Sequence, residues 1–199
     1  MPARGGDIAV SASVRIAIVS DTHGYLDPRI ARIVAACDVA VHAGDIGGAA
    51  VLRALRPRGG RVVAVRGNND EPWCWPPGDL EALSALPRVA SLELPGGCLV
   101  VLHGHRGGLP PGLHARLREI HPRARAIVYG HSHRLVCDTE REPWVLNPGA
   151  SGRSRTFGGP SCLVLHASEA RWEIRVQRFR PLETGSRIYA LAPVKPPGK

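Results

Sequence analysis

No two cysteines in this chain stand in a C-x-x-C pair. The five, Cys37, Cys74, Cys98, Cys137 and Cys162, are odd in number and widely spaced, which excludes a disulfide framework and a zinc ribbon. Cys37, Cys98 and Cys162 lie in apolar segments, where a free thiol packs as a small hydrophobe, so a reducing compartment is expected. Aromatic residues are scarce, 5% of the chain against 44% hydrophobic overall. The core must therefore be built from Val, Leu, Ile and Ala, the composition of buried strands. No apolar stretch approaches the roughly 18 residues of a membrane span, and the opening MPARGGDIAVSAS lacks a charged-then-apolar leader pattern. The expectation is a soluble, cytoplasmic protein with no membrane partner. Nor is there a run of five basic residues, or a basic stripe interleaved with aromatics, to mark a nucleic-acid module.

What the chain has in excess is positive charge: 26 Lys and Arg against 17 Asp and Glu, a balance of +9 with histidine neutral. This favours anionic partners such as phosphates. Many of the arginines stand singly, as Arg29, Arg53, Arg116 and Arg171 do, in the manner of a solvated basic surface. A nucleic-acid polymer stays open as a substrate on charge alone, as does a homo-oligomer. A chain of 199 residues suits one domain. We place that domain at residues 14–182, with an N-terminal extension over 1–13 and a Pro- and Lys-rich tail over 183–199.

The periodicity predicts a buried strand over Val14 to Ser20, then a helix from Pro28 to Cys37 with Asp27 as its cap and Pro28 in its first turn. VAVHAG repeats the strand, Gly47 to Leu55 the helix, and VVAVRG the strand, an order that implies a parallel sheet with right-handed crossovers. EPWCWPP, Glu71 to Pro77, reads as a rigid loop whose tryptophans either cover the edge of the core or form a wall facing the substrate. Val89 to Leu94 and Cys98 to His103 flank Pro95-Gly96-Gly97, a hairpin signal at which the sheet turns antiparallel. Leu113 to Ile120 reads as a helix, Ala126 to Tyr129 and Trp144 to Leu146 as strands, and Ser161 to His166 with Arg171 to Phe179 as a second hairpin.

Five of the apolar runs end on metal-ligand residue types: Asp21-Thr-His23, Asp45, Asn68, His103 and His131-Ser-His133. Singly each match is weak, because Asp and His are common turn residues. Together they follow the carboxyl ends of successive strands, where open α/β sheets place their ligands. Asp21, His23, Asp45 and His133 can surround one ion; Asp45, Asn68, His103 and His131 can surround a second, with Asp45 between them. Histidine mixed with oxygen donors suits first-row transition ions over calcium or magnesium. Two divalent ions sharing a carboxylate can clamp a phosphate and generate hydroxide at neutral pH.

In their order, Asp21-x-His23, Gly44-Asp45, Gly67-Asn68, His103-Gly-His105 and Gly130-His131-x-His133 resemble the motifs of the calcineurin-like metallophosphoesterases. The likeness is greatest to the small bacterial and archaeal phosphodiesterase subgroup, which also counts the retromer scaffold subunit among its relatives. It spans about Val14 to Phe179, and Asn147-Pro148-Gly149-Ala-Ser151 is similar to a turn of that subgroup. The resemblance implies an α/β fold, a four-layer α/β/β/α sandwich of two mixed sheets flanked by helices. It also implies two divalent ions, manganese first, with zinc, iron, nickel and cobalt open. Asp21, His23, Asp45, Asn68, His103, His131 and His133 are the ligands it assigns.

Many members of the wider superfamily carry a histidine after the ligand asparagine, thought to protonate the leaving oxygen. Here that residue is Asn69, which carries no titratable proton near neutral pH, so a poor leaving group forgoes general-acid help of about 10²- to 10⁴-fold. A phosphodiester also matches the charge: two ions against Asp21, Asp45 and a hydroxide leave about +1 for a monoanion to meet. The expected reaction is in-line attack on phosphorus by a hydroxide bridging the ions, on a small phosphodiester or nucleotide. A phosphomonoesterase or nucleotide pyrophosphatase on the same site, and a metal-binding scaffold without turnover, are the alternatives. His105 is the protein group left to protonate the leaving oxygen, or else a structural neighbour of the ligands, and Asn69 is a neutral hydrogen-bond donor. Arg66, Arg106 and Arg134 each adjoin a ligand motif and are candidates to hold a substrate phosphate, at most one or two of them, because neighbours in an extended segment face opposite ways. His42 is expected to support Asp45.

Overall fold

The computed structural model describes residues 13–105 and 112–182. Arg106, the N-terminal extension up to residue 12 and the tail from residue 183 lie outside these described residues.

The first sheet grows from the apolar runs nearest the N-terminus. β1 (Val14–Val19), β2 (Val39–His42) and β3 (Arg61–Ala64) pair in parallel, with Ile16 opposite Val39 and Ala40 opposite Val62. Period-two alternation sends Ile16 and Ile18 to one face and Ala17 and Val19 to the other, and both faces are buried. α1 (Pro28–Ala35) covers the second face with Ile30 and Val34. Its start is set by Asp27, whose side chain accepts from the Arg29 amide at 2.9 Å, and by Pro28 in the first turn, so one otherwise orphaned amide is satisfied. α2 (Ala49–Ala54) follows β2.

A 3₁₀ turn over Pro77–Asp79 and α3 (Leu80–Ser84) then lead away from this sheet. Neither was legible in the sequence, because five helical residues are too few to show a helical period. β4 (Val89–Leu94) and β5 (Gly97–Leu102) form the expected antiparallel hairpin, but they open a second sheet and do not extend the first. α4 (Gly112–Ile120), β6 (Ala126–Val128), β7 (Leu135–Asp138) and β8 (Trp144–Pro148) complete it, in the order β4-β5-β6-β8-β7. The β5-β6-β8 centre is parallel and both edges are antiparallel. β7, Leu-Val-Cys-Asp, has no fully buried residue and only three apolar ones in a row, too short a run to read as a strand from the sequence. β8 runs on through Asn147 and Pro148, residues read from the sequence as a turn. β9 (Ser161–Ala167) and β10 (Trp172–Arg178) return to the first sheet, β9 lying antiparallel beside β1.

The two sheets face one another through a core of Ile16, Ile18, Val41, Leu99, Val101, Val128, Leu146 and Leu163. Behind the second sheet, Leu113 and Leu117 of α4 pack on Val100, Ile127 and Val145. Helix, sheet, sheet and helix therefore stack as four layers around apolar interfaces, the arrangement implied by the resemblance. Among the described residues no helix is long and apolar enough to cross a membrane.

Candidate metal centre

The carboxyl ends of β1, β2 and β3 in one sheet and of β5 and β6 in the other open onto a single crevice. The loops that leave them carry the ligand types. The loops after β1 and β2 are zipped together by backbone bonds: the amides of Asp21, His23 and Gly24 donate to the carbonyls of Gly44, Asp45 and Ile46 at 3.0, 3.0 and 2.7 Å. From the second sheet, the His131 amide reaches across to both Asp21 carboxylate oxygens at 3.1 Å.

Two groups of donors result. Asp21, His23, Asp45 and His133 form one, and Asp45, His103 and His131 the other; within each group the ligand atoms lie no more than 4.8 Å apart. Asn68 joins the second group through its amide oxygen, 3.1 Å from His103 Nε2. Asp45 is common to both, with His103 Nε2 3.2 Å from one carboxylate oxygen and His23 Nε2 3.8 Å from the other. All seven residues that the sequence singled out as ligands thus meet at one place.

The chemistry of this set fits divalent cations. His23 Nε2 and His133 Nε2 face each other at 3.2 Å, so two lone pairs point at one locus. His103 donates from Nδ1 to the Ala43 carbonyl at 2.7 Å, and His133 Nδ1 lies 3.2 Å from the Ser154 carbonyl. Each bond fixes the tautomer that leaves Nε2 free to ligate. Burial pushes the Asp21 carboxyl up to about 7, because a charge without a cation beside it is costly in that environment. Burial also pushes Asp45 upward, but the hydrogen bond and charge of His103 and the two hydrogen bonds of Asn69 together hold it well below the usual carboxylate range. Burial, then the charge of Arg155, lower His133 to about 4, and burial lowers His131 and His23. These three imidazoles therefore favour the neutral form that donates a lone pair; burial lowers His103 as well, but its hydrogen bond and charge pairing with Asp45 and the charge of Asp21 outweigh it and raise that imidazole.

The backbone marks the same place. Among the described residues, the non-glycine residues with left-handed φ are Asp21, His23, Asp45, His131, His133 and Arg155, at 52, 46, 55, 70, 57 and 52°. Five are ligand candidates, and the sixth directs its guanidinium to one of them, with Arg155 Nη2 3.2 Å from His23 Nε2. Such conformations cost of order 1–3 kcal/mol each and persist where the surroundings impose them, as they do at functional sites.

Other residues support the ligand candidates, Asp70 not singled out in the sequence and His42 expected from it. Asp70 is fully buried and accepts from the amides of Ile46, Gly47 and Gly67 and from Trp75 Nε1, at 2.8 to 3.0 Å. Its place three residues after Gly67 was the available signal. His42 receives the Gly44 amide on Nδ1 at 3.2 Å and meets Thr22 Oγ1 with Nε2 at 2.9 Å, so it braces the loops carrying Asp45 and Asp21. Asn147 Nδ2 donates to the Gly130 carbonyl at 2.9 Å, steadying the loop of His131 and His133.

The other sequence candidates fall in different surroundings. Asn69 donates to Asp45 twice, from its backbone amide at 2.9 Å and its side chain at 2.6 Å. The His105 ring lies beside the second group, 5.7 Å from His103 and 6.2 Å from His131 between centroids. The Arg66 guanidinium turns to Glu71 at 2.7 Å and to the Asp70 carbonyl, an arrangement that fixes the loop after β3. Arg134 lies over the Phe157 ring at 4.2 Å, and both line a cleft of about 720 Å³ that His131 borders and whose walls include Leu113, Leu135 and Val136. The two tryptophans of EPWCWPP divide: Trp75 is buried against α2 and α3, and Trp73 is 76% exposed.

Comparison with known proteins agrees with this geometry. The chain is 25% identical over 146 residues to a phosphodiesterase of Methanocaldococcus jannaschii, a match covering 68% of this chain and 83% of that protein. Its fold is similar to that of Vps29 from Chaetomium thermophilum, with a TM-score of 0.69 at 18% identity over 87% of this chain and 92% of that one. It is also similar to Entamoeba histolytica Vps29 complexed with zinc, with a TM-score of 0.61 at 16% identity over 83% and 98% of the two chains. The family model of the calcineurin-like phosphoesterase superfamily domain matches residues 14–170, the span that contains every strand except the edge strand β10 and every ligand candidate, and the chain belongs to that superfamily.

Proposed function

We propose that the protein hydrolyses phosphodiesters with two divalent transition-metal ions, manganese foremost, and acts on a small diester or nucleotide. The observation that supports the diester reading is the environment of Asn69. Both of its hydrogen-bond donors near the centre are directed to Asp45, and the residue carries no proton to give a departing alkoxide. A diester with a good leaving group needs that proton least.

Held among these side chains, two such ions supply Lewis-acid charge to phosphoryl oxygens and make water acidic enough to ionise near neutral pH. Asp45 belongs to both donor groups and keeps them in register, with Asn69 and His103 fixing its two oxygens. Asp21 and the three less basic imidazoles complete the cage, each oriented by a backbone carbonyl, a backbone amide or a left-handed turn. In the overall reaction a water oxygen bonds to phosphorus, one ester P–O bond breaks, and the products are an alcohol and a phosphomonoester. The alcohol takes its proton from solvent or from His105. The cleft beside His131 receives the substituent of the substrate that does not react, between the apolar wall of Leu135 and Val136 and the Arg134–Phe157 stack. Five free cysteines accord with a reducing, cytoplasmic setting.

The test is steady-state kinetics on metal-free protein reconstituted with Mn²⁺, and in parallel with Zn²⁺, Fe²⁺, Ni²⁺ and Co²⁺. Aryl diesters and aryl monoesters are the substrates and Asp45→Ala is the control. The expected result is a kcat/KM for diesters at least about 10²-fold above that for monoesters, abolished in Asp45→Ala. Equal cleavage of both ester classes would sink the argument from Asn69. Hydrolysis no greater than in the control would instead leave the metal-binding scaffold.

A further inference from the structure

Of the arginines around the crevice, Arg66 is held by Glu71, Arg134 lies over Phe157 and Arg153 lies over the Tyr25 ring at 3.4 Å. Arg155 is placed differently. Its Nη2 is 3.2 Å from His23 Nε2, which in turn is 3.2 Å from His133 Nε2 and 3.8 Å from an Asp45 oxygen. The guanidinium therefore sits at the rim of the first donor group, on a nitrogen that belongs to the cage, and its residue is exposed to solvent.

The loop that carries it is built into the centre. Gly152 packs so closely on the loop after β1 that a Cβ there would stand 2.4 Å from the Thr22 carbonyl oxygen. One residue before Arg155, the Ser154 carbonyl meets His133 Nδ1. Arg155 itself adopts φ of 52°, a conformation that glycine takes freely and a long side chain does not. An arginine in that conformation, aimed at a ligand, is costly unless the guanidinium is needed there.

We propose that Arg155 is the residue that grips a non-bridging phosphoryl oxygen of the substrate at the first donor group. This deepens the phosphodiesterase reading and rests on it. A guanidinium offers two parallel N–H donors that match the O–P–O edge of a phosphate. Were His23 Nε2 to hold a cation, it would no longer accept from Arg155, and the guanidinium at the rim would be free to meet an anion. The sequence singled out Arg66, Arg106 and Arg134 because they adjoin ligand motifs; Arg155 lies 22 positions beyond His133 and only the folded loop brings it in.

The decisive variants are Arg155→Gly and Arg155→Lys, each loaded with Mn²⁺ and titrated calorimetrically with inorganic phosphate, alongside diester kinetics, metal content and thermal unfolding. Arg155→Gly relieves the left-handed strain, so its Tm should equal or exceed that of the parent, with metal content unchanged. Phosphate should bind about 10- to 100-fold more weakly and KM for the diester should rise in parallel, the loss expected for a charged hydrogen-bond partner. Arg155→Lys should recover part of the phosphate affinity. Parental phosphate affinity and KM in Arg155→Gly would overturn the proposal, and so would a loss of bound metal, which would show that Arg155 acts through His23. If the parent protein hydrolyses no diester yet loses phosphate affinity on Arg155→Gly, the phosphodiesterase reading fails and the anion grip stands.

Discussion

His42 shows how a residue away from the reacting atoms carries a measurable part of the centre's stability. It is fully buried and neutral, accepting the Gly44 amide on one ring nitrogen and bound to Thr22 by the other. Burial lowers its pKa from 6.5 to about 4, against the upward pull of the Asp70 and Asp45 charges and with a further push down from His103 and His23. The unfolded chain therefore takes up a proton near pH 6.5 that the folded chain refuses until about pH 4. The contribution of His42 is complete above pH 6.5, falls as pH drops, and is gone below about 4, a total on the order of 3 kcal/mol. Denaturant unfolding at pH 7, 5.5 and 4.5, run on the parent and on His42→Gln side by side, should show that loss as the difference between them, because Asp21 titrates in the opposite sense in the same window. In His42→Gln the dependence across the same window should be flatter by that amount, and an unchanged slope would refute the assignment. Asp70 belongs to the same class of residue: four donors from three chain segments meet on one buried carboxylate, and no cation is among them.

At the level of elements, the centre depends on how closely the loops after β2 and β3 approach. Gly67 is the point of contact. A Cβ there would fall 2.2 Å from the Asp45 backbone nitrogen and 2.2 Å from its carboxylate oxygen, well inside any permitted contact. Gly67→Ala must push the β3 loop off the shared carboxylate and carry Asn68 with it. Metal analysis of the purified variant should find fewer than two ions per chain, and diester turnover should fall by about 10²-fold or more, the effect of misplacing groups by roughly 1 Å. Two ions and undiminished turnover would mean that the loops tolerate separation. The helical elements play a lesser part. α1 and α4 cover the outer faces of the sheets, and α3 with Trp75 closes the end beside α2, so they hold the strands whose ends carry the ligands without reaching the crevice themselves.

Across the whole molecule, the centre joins two sheets whose facing sides meet through an apolar core. Asp21 from the first sheet binds the amide of His131 from the second, and the donors of each cage come from both sheets. Cations bound there would act as a cross-link and would favour the ionised form of Asp21 that its surroundings disfavour. Binding to the folded state alone stabilises by about 2.7 kcal/mol when free metal is 100 times the dissociation constant, worth about 5–10 °C in Tm for a chain of this size. Differential scanning calorimetry of metal-free protein with and without saturating Mn²⁺ should show that rise. Asp45→Ala should show little of it. An equal rise in the variant would place the stabilising metal elsewhere.

All strands but β7, and the ligand types at their ends, are legible in the sequence because both are local: an apolar β-branched run must be buried, and Asp, Asn or His after it stands wherever that strand stops. The sequence by itself also determined the cap of α1, which depends on Asp27 and Pro28 alone, and the absence of an acid at Asn69. Only the tertiary structure decided that the hairpin of β4 and β5 opens a second sheet, since strand pairing is settled by which faces find apolar partners across the core. The tertiary structure likewise turned Arg66 to Glu71 and brought Arg155 to His23. What an arginine meets depends on the path of a loop through space, and adjacency to a motif in sequence says little about where a long, flexible side chain will reach.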